Sequence, residues 1–220
     1  MIAAPSAPES RWPPALALLA FLILNIAIRL WLPHESAIRL PWLLPGVEVV
    51  LIGLLLFSDP GRLARHRRWL RPLLLAFVVI LVVAALWSTV LLISDLIQGN
   101  GVTNSPSRLL ATGALIWLGN NLAFGLLYWL LDGGGPAERR TKAGPVDFAF
   151  TQQLSPEISP PGWRPVFLDY LHLGFTNATA FSPTDVMPLT LRAKYVMLLQ
   201  ASVALALFGL IVARAVNAFT

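Results

Sequence analysis

Long apolar runs separated by short polar stretches dominate this chain. A helix needs about 20 mostly apolar residues to cross a hydrocarbon core about 30 Å thick. Five runs meet that length, at about 12–32, 40–58, 72–96, 108–131 and 188–217. The first is broken only by Asn25 and Arg29, the second only by Glu48. Helices are expected because in lipid each backbone polar group must be paired inside the segment, which an isolated strand cannot do. The first run is longer than a usual signal-peptide core. Its end, Arg29-Leu-Trp-Leu-Pro33, offers no small-residue cleavage site, so it reads as a retained span. A further stretch, 164–181, is apolar but carries Asp169, His172, Thr176, Asn177 and Thr179. It reads either as a short span or as a half-helix that enters the membrane and turns back. The expected fold is an all-α, polytopic integral membrane protein. It is one membrane domain over 1–220, with five firm transmembrane helices plus one short or re-entrant membrane segment.

Composition agrees with this and narrows the chemistry. Hydrophobic residues make up 56% of the 220 and charged residues only 12%, about half the charge of a soluble domain. With no cysteine there is no disulfide framework, zinc-thiolate site or thiol nucleophile. Three separated histidines, His34, His66 and His172, do not suggest a metal site. No Gly-rich phosphate loop, HExxH or G-x-S-x-G occurs, so neither an enzyme nor a cofactor is expected. The net charge of +5 gathers in loops. Arg62, Arg65, Arg67, Arg68 and Arg71 fall within ten residues, which by the positive-inside tendency places that loop and the N-terminus in the cytoplasm of a multi-pass cell-membrane protein. The connection 132–163, with Arg139, Arg140 and Lys142, then lies on the same side. At about 30 residues it is too short for an independent domain and reads as an ordered cytoplasmic loop with an apolar patch at Val146–Phe150. The expected partners are the lipid bilayer, with anionic headgroups at the basic loops, and further copies of the chain, not nucleic acid.

Ionisable residues inside apolar runs are the first places to look for function. Glu48 lies about eight residues into the second run, and Arg29 sits near the end of the first. They are expected to pair across a helical hairpin, or else to handle protons or ions. Asn120, Asn121 and Gln200 suit hydrogen bonds between helices, and Gly119 with Ala123 forms a small-xxx-small pair that lets a neighbour come close. Asp95 reads as interfacial. Asp169 and His172 are three apart and share a helix face, as a satisfied pair or a proton relay. Ser182-Pro-Thr-Asp185 has the features of a helix start, with Pro188 kinking the opening of the last helix. Arg192 and Lys194 are the partner candidates for Asp185 if it is buried. That start leaves Thr176, Asn177 and Thr179 unexplained within an apolar stretch. With Ser182, Thr184 and Asp185 they form a candidate polar path.

Two resemblances attach to this region. Phe175, Thr176, Thr179, Asp185 and Pro188 match the filter region of the potassium-channel pore module, but its filter glycines fall on Ser182 and Thr184 and its tyrosine on Pro183. A carbonyl-lined potassium filter is therefore not implied. The segment Thr179-Ala-Phe-Ser-Pro-Thr-Asp185, within 165–217, resembles bacterial inner-membrane proteins of a domain-of-unknown-function type. That resemblance implies membrane class and carries no activity. Two functions follow: a membrane scaffold that binds a partner, or a channel-like or transporter-like protein whose polar path is lined in an oligomer.

Overall fold

A computed structural model describes residues 9–31, 43–57, 70–98, 105–141, 145–180 and 185–219. Helices α1 (Trp12–Trp31), α2 (Leu43–Phe57), α3 (Leu70–Gln98) and α4 (Pro106–Leu131) are followed by a 3-10 turn (Asp132–Gly134) and a short α5 (Pro136–Thr141). Strand β1 (Phe148–Phe150) leads into a single-turn α6 (Thr151–Leu154). Then come α7 (Phe167–Ala180), β2 (Val186–Pro188) and the long α8 (Leu191–Phe219). By length and composition, four segments can cross a membrane: Trp12–Leu30, Arg71–Gln98, Ser107–Gly134 and Leu191–Ala213. The expected second span is shorter in its described part, with an apolar stretch over Leu44–Leu56. At 15 residues α2 is about 22 Å long, short of the hydrocarbon thickness.

Helices α1 to α4 alternate in direction. Glu9, just ahead of α1, accepts hydrogen bonds from the Trp129 indole (3.0 Å) and the Phe167 amide (2.7 Å), near the end of α4 and at the start of α7. Arg11 donates to the Leu56 carbonyl at the end of α2 (3.3 Å). The start of α1, the end of α2, the end of α4 and the start of α7 therefore meet at one end of the bundle. Asp132 marks this end.

The chain leaves and re-approaches it through α7. Tyr170, on the first turn of α7, bonds Asp132. By Asp185 the chain is back beside His172, and β2 pairs antiparallel with β1, Val186 opposite Phe150 and Pro188 opposite Phe148. Both flanks of α7 thus lie at the Asp132 end, and α8 starts from there too. At 14 residues, α7 is about 21 Å long. It runs against α4 where glycines allow it. A Cβ on Gly125 would stand 3.2 Å from the Leu171 backbone, and one on Gly174 would stand 3.4 Å from the Asn121 carbonyl. Of the expected small pair, Gly119 faces the Phe21 ring of α1 instead.

The sheet corrects the expected start of the last helix. Val186–Pro188 are strand, so α8 begins at Leu191, and the Thr190 hydroxyl accepts the Ala193 amide as its cap (3.3 Å). Asp185 lies ahead of the strand and starts no helix, while Ser182 and Thr184 lie outside the described residues. The connection after α4 is described at 132–141 and 145–163. Its apolar patch is buried, with Phe148 packed edge-on against Tyr128 (5.3 Å between centroids) and Phe150 against Tyr170 (5.2 Å). Each such ring, fully buried, is worth about 1.5–3 kcal/mol.

Candidate functional site

Two polar clusters are built around α7, one inside the bundle and one at the Asp132 end. The inner cluster centres on Gln200 of α8, whose Oε1 accepts from the Tyr128 hydroxyl (2.7 Å) and from Asn177 Nδ2 (2.9 Å). Its Nε2 donates to the Gly174 carbonyl (3.0 Å) and to Asn121 Oδ1 (3.4 Å). Asn177 also donates to the Met197 carbonyl (2.9 Å). All four polar side chains are buried. Gly174 is what allows this: with no side chain of its own, it exposes a carbonyl to Gln200 and lets α7 approach α4. Beside the cluster is a cavity of about 10 Å³, room for about one water. Asn120, on its wall, donates to Thr89 Oγ1 of α3 (2.8 Å).

Thr176 and Thr179 of the expected polar path are used locally. Thr176 donates to the His172 and Leu173 carbonyls, and Thr179 to those of Phe175 and Thr176, each at 2.8–3.3 Å. These are back-bonds within α7 itself, the usual way a threonine satisfies its hydroxyl mid-helix. Of the path residues on α7, Asn177 is the one that reaches across to another helix.

The cluster at the Asp132 end was not foreseen. Asp147 is fully buried, and Arg192 grips it with two bonds of 2.6 Å, Nε to Oδ1 and Nη2 to Oδ2. Thr190 adds 2.6 Å to Oδ1, and the Gly133 amide adds 3.3 Å to Oδ2. Burial alone pushes the Asp147 carboxyl up. The hydrogen bonds from Arg192 and Thr190, the Arg192 charge and the Gly133 amide together hold it below the usual carboxylate value. Asp132, also buried, accepts the Asp147 amide (2.7 Å), the Phe148 amide (3.2 Å) and the Tyr170 hydroxyl (2.5 Å). Gly133, Gly134 and Gly135 all have positive φ, from 54° to 92°, so the chain turns sharply there. That turn lets Arg139 reach back to the Trp129 carbonyl in the last turn of α4 (2.6 Å) and to the Asp132 carbonyl (2.8 Å), which also takes the Gly135 amide (2.8 Å). The two aspartates thereby tie α4, β1, α7 and α8 together. The sequence signal was Asp147 inside Val146–Phe150: a carboxylate in a buried patch requires a cation or several donors.

The charged side chains take these partners. Arg192 serves Asp147, and the group beside Asp185 is His172, at 3.8 Å. Asp169 caps α7 by accepting the Val166 amide (2.7 Å). Burial raises its carboxyl above the usual value, the Val166 bond and His172 oppose this, and Asp185 adds to it. Glu48 receives its hydrogen bond from Asn25 Nδ2 (2.7 Å), one turn before Arg29 on α1. Asn25 stands opposite Glu48 where α2 runs back along α1 towards Arg11, and Arg29 lies one turn further along that helix. Among the described residues the second oxygen of Glu48 has no hydrogen-bond partner.

Comparison of the chain with protein-family models, with curated proteins and with solved structures gives no match. Neither resemblance drawn from 165–217 is thereby identified. What stands is a helical, multi-pass membrane protein with four membrane-length apolar helices among the described residues.

Proposed function

We propose that this protein is a non-transporting membrane scaffold, its intramembrane polar residues fastening helices and its end cap holding a surface for a partner. The observation that carries this reading is the inner cluster. Gln200, Asn177, Asn121 and Tyr128 satisfy one another across α4, α7 and α8. The cavities lined by Asn120 and by Asn25 are each about 10 Å³, too small for a hydrated ion.

One observation favours a second, channel-like reading. Because both flanks of α7 lie at one end of the bundle, 164–181 reads as re-entrant rather than spanning. Backbone at membrane depth of this kind occurs where protein buries it or it lines a wet cavity. In an oligomer, Thr176, Thr179, Ser182, Thr184 and Asp185 would then line a path. Ion flux in proteoliposomes separates the two. Flux no greater than in empty vesicles, with the protein correctly inserted, supports the scaffold; flux that Asp185→Asn alters overturns it. In either reading the N-terminus and the basic loops are cytoplasmic. Reporter fusions after residues 66, 103 and 145 test this, and an external signal at 66 would reverse it.

A further inference from the structure

The exposed apolar surface of α8 does not stop where the helix does. Leu191, Tyr195, Leu198 and Leu205 are exposed and recur at i, i+4, i+7 and i+14, one continuous stripe on a helix. Ahead of the helix the stripe continues through Leu189 and Met187, which alternate to one side as an extended chain requires. Met187 is 61% exposed, Leu189 52% and Leu191 71%. Val186, just ahead of them, is buried and pairs with Phe150, so the strand has one face in the protein core and one face outward.

We propose that β2 and the first turn of α8 form an interfacial anchor that lies in the headgroup layer of the bilayer and binds anionic phospholipid. Length supports this placement. The apolar span Leu191–Ala213 has 23 residues, about 34 Å of helix, slightly more than the hydrocarbon core. Its first residues therefore stand at the hydrocarbon boundary, and the headgroup layer adds only about 5–8 Å beyond it. Leu189, two residues earlier, falls inside that layer, and Met187, four residues earlier, does so with the extended chain, about 3.3 Å per residue, lying along the membrane surface. Its side chains suit a lipid surface. Tyr195 has the amphipathic ring found at membrane interfaces. Lys194, exposed beside it, carries an ammonium on a long stem that can reach lipid phosphate. Arg192 is committed to Asp147, so Lys194 is the cation left for the lipid. An exposed apolar edge strand in water would invite pairing with other chains; in the headgroup layer that face is covered.

The chain has no cysteine, so single-cysteine spin labelling of the full protein is clean. Met187→Cys, Leu189→Cys and Leu198→Cys, all at exposed positions, are labelled with a nitroxide and reconstituted into phosphatidylcholine vesicles, with or without an equal part of phosphatidylglycerol. Relaxation by oxygen and by a water-soluble nickel complex is then compared. Labels at 187 and 189 are expected to read a shallow depth, between the oxygen-dominated value at 198 and that of a free nitroxide in water. Phosphatidylglycerol is expected to deepen the 187 label, and Lys194→Gln to abolish that deepening. A water-like label at 187 overturns the anchor. An immobile label reached by neither probe also overturns it, because protein then covers the strand. A lipid-like label indifferent to phosphatidylglycerol and to Lys194→Gln overturns the anionic-headgroup assignment.

Discussion

Removing the Asp147 carboxylate should release the end of the bundle, and the two partners should differ in what their loss costs. Asp147→Ala deletes an acceptor that takes two 2.6 Å bonds from Arg192, one from Thr190 and a longer one from Gly133. Bonds to a charged group contribute about 1.5–3 kcal/mol each. The Arg192 side chain is 55% exposed, so its guanidinium regains water and most of that contribution is returned. The expected loss is about 2–3 kcal/mol. Arg192→Met is the harsher change. It leaves a fully buried carboxylate held only by Thr190 and Gly133, and breaking a buried pair in this sense costs about 3–5 kcal/mol. The double substitution should cost less than the sum, because the stranded charge is gone. Thermal unfolding in detergent reads this order, with about 2–4 °C per kcal/mol for a chain of this size. The pH dependence provides a second check. A carboxyl whose folded pKa is depressed contributes stability that is complete above its unfolded value, 3.8, and disappears as pH falls through the folded value. Wild type should therefore lose stability as pH drops below about 4, and Asp147→Ala should lack that component. Arg192→Met no more destabilising than Asp147→Ala, or additive effects in the double variant, would refute the reasoning.

Gln200→Leu should strip partners from Tyr128, Asn177, Asn121 and the Gly174 carbonyl at once. With intramembrane bonds averaging about 0.6 kcal/mol, the expected loss is about 2 kcal/mol in a denaturant titration. Gly125→Val puts a branched side chain where a Cβ already stands 3.2 Å from the Leu171 backbone. It should cost about 1–3 kcal/mol and show as a lowered unfolding midpoint, whereas Gly209→Ala, whose Cβ meets nothing within 4 Å, should be silent. Asp169→Asn keeps an acceptor for the Val166 amide and removes a carboxylate that burial disfavours. Because that carboxyl is raised in the fold, ionising it costs stability as pH rises above its unfolded value. The variant should equal or exceed wild type at pH 7 and lose that advantage near pH 3, measured by unfolding at the two values.

The sequence by itself determined the membrane character and the helices long enough to span. Those depend on run length and on the cost of unpaired backbone in lipid, and both can be counted along the chain. It also marked Asn177, Gln200, Asn121 and Glu48 as polar groups in need of partners. Which partner each one takes was decided by tertiary structure. Asn25 lies closer to Glu48 than Arg29 because of where α2 packs on α1, and Thr176 and Thr179 turn back on their own helix while Asn177 points across. The last helix starts later than its proline and hydroxyl signals suggest, because Val186–Pro188 pair with a strand about 40 residues earlier in the chain, a contact with no local signature. Along the chain Asp132 and Arg192 are separate charges at two helix ends, and Asp147 is a carboxylate in an apolar patch whose partner the sequence does not name. They form a clamp only because the three-glycine turn and the return of the chain after α7 bring them to one buried point.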